Sequence, residues 1–427
     1  MPQIFIEKDP LYFNKIKWVM TIISQYCKIP YNFVSEVSQS NISIGSAGDY
    51  NICIDNVFFL KLKNGQTKWK QILPDGPVYK NEKGDECLLE TIFYLVNCIQ
   101  ELTIDKSELD HYGRFKYTSS LQYHYGIIET NFVGQLIDRL IEKYPILSDG
   151  MGIPNHPSQF FLSHDIDLLH SGWKVEVYLA LKEYNWKGLA KALKDILLRK
   201  PFYNNIDSVL KIDKSCGFTS CFYWLPAFGK DKNGIMNADY SIDDLVEMST
   251  KVADEGFSNG IHKSSFHTSF GEEMNRFPFK PEHNRYHFLK FQTHEAWKEI
   301  ELAGLKTDAS LGFAEHIGFR NSYGLPFVPF DMENDQPFSF VEIPLHVMDG
   351  TLTQYMGLKP VKVLEKFQNF ISINSSNSVI SILWHNNELT EYTHYEMFMN
   401  YKSLIKYMFE QGHIGVTPNG MYNDFQP

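Results

Sequence analysis

Two aspartates that alternate at the end of an apolar run are the residues best placed to do chemistry in this 427-residue chain. The run Phe160-Phe161-Leu162-Ser163-His164-Asp165-Ile166-Asp167 reads as a buried strand. Strand geometry sends Asp165 and Asp167 to the same side, where two close carboxylates need a metal ion or an arginine to join them. The carboxyl ends of strands are also where α/β sheets keep their chemistry. His262, Asp308 and His385 each follow a further apolar strand candidate. Taken singly, a histidine after a strand is most often a hydrogen-bonded structural residue. Recurrence at equivalent positions is what points to a site, because a barrel would gather all of these residues at one rim.

The elements that must position them alternate from about residue 155 onward. A long amphipathic helix is expected over 173–198, a strand over 220–225, and a helix from Ser241, where Asp244 completes a capping box. Helices over 293–303, 361–373 and 394–411 and strands into His262, Asp308 and His385 continue the pattern, which predicts a parallel, barrel-like α/β domain over 151–427. Residues 1–150 read as a smaller α/β or α+β domain, with strand candidates at 50–54 and 57–60 and helices near 86–100 and 131–143. The turn-rich segment 145–157 separates the two. The charged stretch Asp110 to Lys116 reads as a solvated loop.

Forty basic against fifty-one acidic residues give a net charge of -11, which disfavours general binding to nucleic acid or an anionic membrane while leaving room for a local basic patch. The six cysteines are scattered without metal-site spacing and read as reduced core residues. No signal-like segment or membrane-spanning run stands out, so the expectation is a cytoplasmic protein.

From about residue 155 the chain resembles the NodB-like polysaccharide deacetylases, metal-dependent carbohydrate esterases with a distorted β/α barrel. It is most similar to a bacterial branch with an extra amino-terminal domain and a Ser-His-Asp-Ile/Val-Asp opening motif. By that resemblance Asp165 is the general base and Asp167 a metal ligand. Gly256 to His262 looks like the family's Gly-x-Glu-x-Gly-x-His run, making His262 a second ligand. Arg285-Tyr286-His287-Phe288 looks like its Arg-x-Pro-Tyr motif, so Arg285 would pair with and orient the base. Thr307 to Phe313 looks like the fourth motif, with Asp308 near substrate, and Ile382-Leu383-Trp384-His385 looks like the closing Leu-x-His, with His385 the general acid and Trp384 a cleft wall. Glu342 to Gly350 is expected to line the cleft as well.

The family's second ligand histidine, one helical turn after the first, has no counterpart, since Phe266 stands there. His267, one residue further, is the expected third ligand. The alternatives are water or His287, which is otherwise a substrate-binding residue. The resemblance implies a divalent metal ion, expected to be zinc, and hydrolytic removal of an acyl group from an N- or O-acylated sugar or glycan. No Gly-x-Ser-x-Gly elbow offers an acyl-enzyme route. Two other readings stand beside this one: a related hydrolase of non-peptide C–N bonds on a small molecule, and a non-catalytic glycan-binding protein.

Overall fold

The apolar run that carries the two aspartates becomes one strand of a nine-stranded, all-parallel sheet in the computed structural model, which describes every residue except Ala47, Pro201, His267, Glu391, Thr393 and Pro427. Ahead of it, the amino-terminal segment forms its own parallel sheet from β1 (Gln3–Ile6), β2 (Asn32–Val34), β3 (Ile42–Gly45) and β4 (Ile52–Cys53), in the order β2-β1-β3-β4. The larger sheet starts with β5 (Gln159–Ile166), β6 (Ser220–Trp224), β7 (Ser258–Lys263), β8 (His283–Tyr286) and β9 (Thr307–Asp308). A small antiparallel pair, β10 (Phe330–Asp331) and β11 (Gln336–Pro337), interrupts it before β12 (Val341–Glu342), β13 (Val347–Met348), β14 (Val379–Leu383) and β15 (Ile414–Gly415).

Strand order is β12-β9-β8-β7-β6-β5-β14-β13, with β15 also paired to β5. The edge strands β12 and β13 are joined only by residues 343–346. A link that short reaches at most about 18 Å, so the sheet has to curl round into an open, distorted β/α barrel. Its strands are buried along almost their whole length, as parallel strands covered on both faces are.

The pleat divides β5 between two environments. Phe161, Ser163 and Asp165 face one way, and Phe160, Leu162 and His164 the other. His164 therefore points away from the cleft, where its ring lies 3.3 Å from Asp213 of the helix Ile206–Ser215 and 2.9 Å from the Trp384 carbonyl. Its burial is complete and its role structural.

The two sheets do not have separate interiors. A single apolar cluster runs from Ile4 through Phe93 and Phe160 to Met421. Polar ties cross the same junction: Asn97 exchanges a pair of hydrogen bonds with the Phe330 backbone at 2.9 and 3.0 Å, and the Trp18 indole donates to the Val328 carbonyl at 2.7 Å. Arg320 grips Glu101 with two bonds of 3.0 and 2.6 Å, both side chains fully enclosed.

Three local expectations differ from the structure. Residues 57–60 lie in the helix Asn56–Lys63, because the Asp55 side chain accepts the Val57 amide and caps its start. The long helix over 173–198 is two helices, Gly172–Lys182 and Trp186–Leu197: Tyr184 is left-handed and Asn185 caps the Gly188 amide at 2.8 Å, so the chain reverses there. The loop at 110–116 is not solvated, since Asp110 and Arg114 pair with each other while buried against the barrel. By contrast the capping box of Ser241 and Asp244 and the helix over 293–303, ended by left-handed Gly304, form as expected.

Glu101→Ala removes the partner of a buried guanidinium and is expected to destabilise the protein by about 3–5 kcal/mol. Chemical denaturation checks this, and an unchanged midpoint would count against the tie.

Candidate metal centre and cleft

Strand ends of β5, β7 and β8 deliver Asp165, His262 and Arg285 to one rim, and the residues just past them add Asp167 and His287. Register sets this arrangement: Asp165 pairs with Tyr223 on β6, Tyr223 with Gly260 on β7, and His262 with Arg285 on β8. Gly260 is needed there, because a Cβ would lie 2.6 Å from the Tyr223 ring and 2.8 Å from the His283 carbonyl.

Asp167, His262 and His287 bring one donor atom each to within 4.8 Å of one another. The His262 Nδ1 lies 2.9 Å from the Arg285 carbonyl, and the His287 Nε2 lies 2.9 Å from the Met236 carbonyl. A carbonyl only accepts, so each of these nitrogens carries the ring hydrogen. The two inward nitrogens, His262 Nε2 and His287 Nδ1, are then bare lone pairs 3.0 Å apart. Asp167 Oδ1 stands 3.5 and 3.6 Å from them and has no hydrogen-bond donor among the described residues. A second proton on His262 is disfavoured, since burial and then the neighbouring His287 hold its pKa well below the ordinary histidine value. Three converging acceptors without a hydrogen between them are the donor set of a divalent cation, and the backbone carbonyls behind both rings are the outer support such ligands need. The residues fit a metal ion.

His287 therefore stands among the candidate ligands, the alternative to its expected substrate-binding role, while His267 lies outside the described residues. His287 reaches the cluster from a tight turn after β8, not from a strand. Phe288 and Leu289 behind it are both left-handed, with φ of 59° and 51°, a conformation that costs about 1–2 kcal/mol per residue. The turn is held from outside the barrel: Arg114 Nη1 donates to the Phe288 carbonyl at 2.9 Å. Asp110 grips the same guanidinium, and Tyr112 packs against the Phe288 ring at 5.6 Å.

The cluster opens into a cleft of about 220 Å³ whose walls include Arg114, Asp165, Asp167, Asp349 and His385. Asp165 Oδ2 is 3.4 Å from His262 Nε2, and its Oδ1 has no hydrogen-bond donor among the described residues. Burial raises the Asp165 pKa, with Arg285 as the main counterweight. Arg285 is completely enclosed; its Nε lies 3.7 Å from Asp165 Oδ1, beyond hydrogen-bond length, while Nη2 donates to Ser163 Oγ at 2.8 Å. Arg285 thus acts on Asp165 through its charge.

Opposite, His385 Nδ1 and Asp349 Oδ1 are 2.7 Å apart, and Asp349 also accepts the His385 amide at 2.7 Å. Burial works against charging this ring, but the Asp349 carboxylate, by charge and by hydrogen bond, outweighs it and pushes the pKa up to about 10. Asp349 was legible only as part of the stretch Glu342 to Gly350. Its own signal, a carboxylate after an apolar strand, is blurred because β13 is only Val347–Met348.

Trp384 and Asp308 are not brought into the cleft. Trp384 is buried between Phe367 and Tyr401, with ring centroids at 5.7 and 5.3 Å. Asp308 lies under the rim, where it accepts from Asn284 at 2.7 Å and Ser310 at 2.8 Å. Its strand neighbour Glu342 is fully buried beside it; burial, then the Asp308 charge, keep the Glu342 pKa well above the carboxylate range.

Residues 4–144 match the model of a family of unknown function, DUF7033. A search of curated proteins finds no match to the chain. Among solved structures, similarity extends to a protein described as a polysaccharide deacetylase from Mycobacterium smegmatis, at 12% identity and a TM-score of 0.41 over 64% of this chain and 93% of that one. A 4-alpha-glucanotransferase from Thermococcus litoralis matches at 10% identity and a TM-score of 0.37, over 63% of this chain and 40% of that one. A mutant of a CE4-family pseudoenzyme with restored enzymatic activity matches at 11% identity and a TM-score of 0.30, over 65% of this chain and 71% of that one. At such identities and scores these likenesses carry no weight beside the geometry of the cleft.

Proposed function

We propose that this protein is a metal-dependent hydrolase that removes an acyl group, acetyl in the simplest case, from an N- or O-acylated sugar or glycan. The observation that carries the proposal is the trio of hydrogen-free acceptors, Asp167 Oδ1, His262 Nε2 and His287 Nδ1, set beside one carboxylate and one protonated histidine. The motif resemblance of Asp165, Asp167, His262 and His385 to NodB-like deacetylases supplies the substrate class.

Asp167, His262 and His287 would hold the ion, and zinc suits two imidazoles and a carboxylate. A divalent cation there supplies Lewis acidity toward an acyl carbonyl and makes nearby water more acidic. Asp165 takes the proton of the attacking water; its free Oδ1 and burial-raised pKa suit a base. Arg285, enclosed beneath it, keeps the carboxylate ionised. His385 is charged before the reaction begins, because Asp349 stabilises the imidazolium, and its Nε2 is left to protonate the departing amine or alkoxide. The presence of both proton-transfer groups supports catalysis over glycan binding alone.

Purified protein is expected to retain about one zinc per chain by elemental analysis, and Asp167→Ala or His262→Ala to lose it. Asp165→Asn should keep the metal yet release acetate from N-acetylglucosamine oligomers about 10²- to 10⁴-fold more slowly than wild type; unimpaired release would falsify the assignment of the base.

The pH profile tests the acid. His385 is raised above its ordinary value, so its protonated form, and the stability it adds to the folded chain, persist at neutral pH and are lost as pH rises toward about 10. Asp349→Asn leaves only the charges of Asp167 and Asp165 to oppose burial and is expected to move the alkaline limb of kcat down toward neutrality. A limb that stays where it was would rule out His385 as the donor.

A further inference from the structure

The helices Gly172–Lys182 and Trp186–Leu197 stand on the barrel as a hairpin, and their inner face is already filled. Ala192, Phe202 and Tyr203 form a small core there with Leu168, Val177 and Ile196. The outer face is apolar too. On the second helix Trp186, Ala190, Leu193 and Leu197 recur at helical spacing along one exposed stripe, with Trp186 64%, Leu193 53% and Leu197 84% accessible. On the first helix Val175, Tyr178 and Leu181 make a second exposed row, and Tyr184 at the reversal is 76% accessible.

Charge distinguishes this surface from the rest of the chain. Between residues 172 and 200 there are seven lysines and arginines against three acidic residues, a net charge of +4 in a protein whose total is -11. Lys174, Lys182, Lys187, Lys194 and Arg199 are exposed, while two of the three acids, Glu176 and Asp195, are buried. A row of leucines flanked by lysines, with tryptophan and tyrosine at the reversal where it begins, has the composition that seats a helix in a lipid headgroup layer.

We propose that this hairpin docks the protein onto an anionic lipid bilayer. Leucine and tryptophan side chains enter the acyl boundary and the flanking lysines meet lipid phosphates. The lysines are spread along both helices and are not focused into a pocket, which fits a fluid, delocalised negative surface better than a discrete protein epitope. No helix among the described residues is long and apolar enough to cross a membrane, and a hairpin of this composition binds at the interface plane. The association does not depend on the metal centre.

Co-sedimentation with phosphatidylcholine vesicles, with and without added phosphatidylglycerol, tests the proposal. The full chain is expected to pellet with the anionic vesicles, to stay in solution with the neutral ones, and to be released by added salt. Leu193→Ser with Leu197→Ser, and separately Lys187→Glu with Lys194→Glu, should each weaken partitioning by roughly tenfold or more at an unchanged Tm. The proposal is overturned if wild type ignores anionic vesicles, or if the serine variant pellets as wild type does. It is equally overturned if light scattering shows that the hairpin instead pairs two copies of the chain, with no vesicle binding.

Discussion

Lone pairs that face one another inside a protein repel unless a proton or a cation lies between them. At the rim of this barrel two imidazoles and a carboxylate are held in that relation by groups that leave them no choice. The Arg285 carbonyl fixes the hydrogen of His262 and the Met236 carbonyl that of His287, so neither ring can turn a hydrogen inward. Arg285 serves twice: its main chain sets the tautomer of a ligand, and its side chain sets the charge beside Asp165. Both tasks depend on one parallel pairing, His262 opposite Arg285. A slip of one residue between β7 and β8 would reverse the side chains and undo both.

Much of this was legible because buried parallel strands leave a local trace in sequence. An apolar run that ends in Asp or His marks a strand end at the rim, and Asp165, Asp167, His262 and His385 carry that signal; Asp308 carries it too yet lies under the rim, while Arg285, on the polar strand His283–Tyr286, was reached only through the motif resemblance. What stayed hidden depends on backbone shape or on distant contacts. His287 was reached only as an alternative ligand, because the left-handed turn of two non-glycine residues behind it is something no hydrophobic pattern encodes. Trp384 was misplaced by its adjacency to His385; in an extended chain neighbours point to opposite faces, so the residue next to a rim histidine is directed into the core. Asp110 and Arg114 looked solvated because the Phe288 carbonyl, to which Arg114 donates, lies far along the chain.

That last contact changes what the amino-terminal segment is. The stretch matched by a family of unknown function supplies a wall of the cleft and a brace for the turn that presents His287. The brace is enclosed and pre-paired, since Asp110 already neutralises Arg114. It therefore adds position to the cleft without adding net charge.

The shared interior has a consequence for how the molecule comes apart. Because one apolar cluster joins residues from Ile4 to Met421, and Glu101 and Arg320 lock the same junction, neither sheet can lose its packing while the other keeps it. Unfolding is then expected to couple the two sheets, unlike the stepwise melting of loosely tethered modules. Under that coupling, occupancy of the cleft raises the free energy of opening everywhere, and the slowest-exchanging amides of β1 and β3 become a remote gauge of what is bound at the barrel rim.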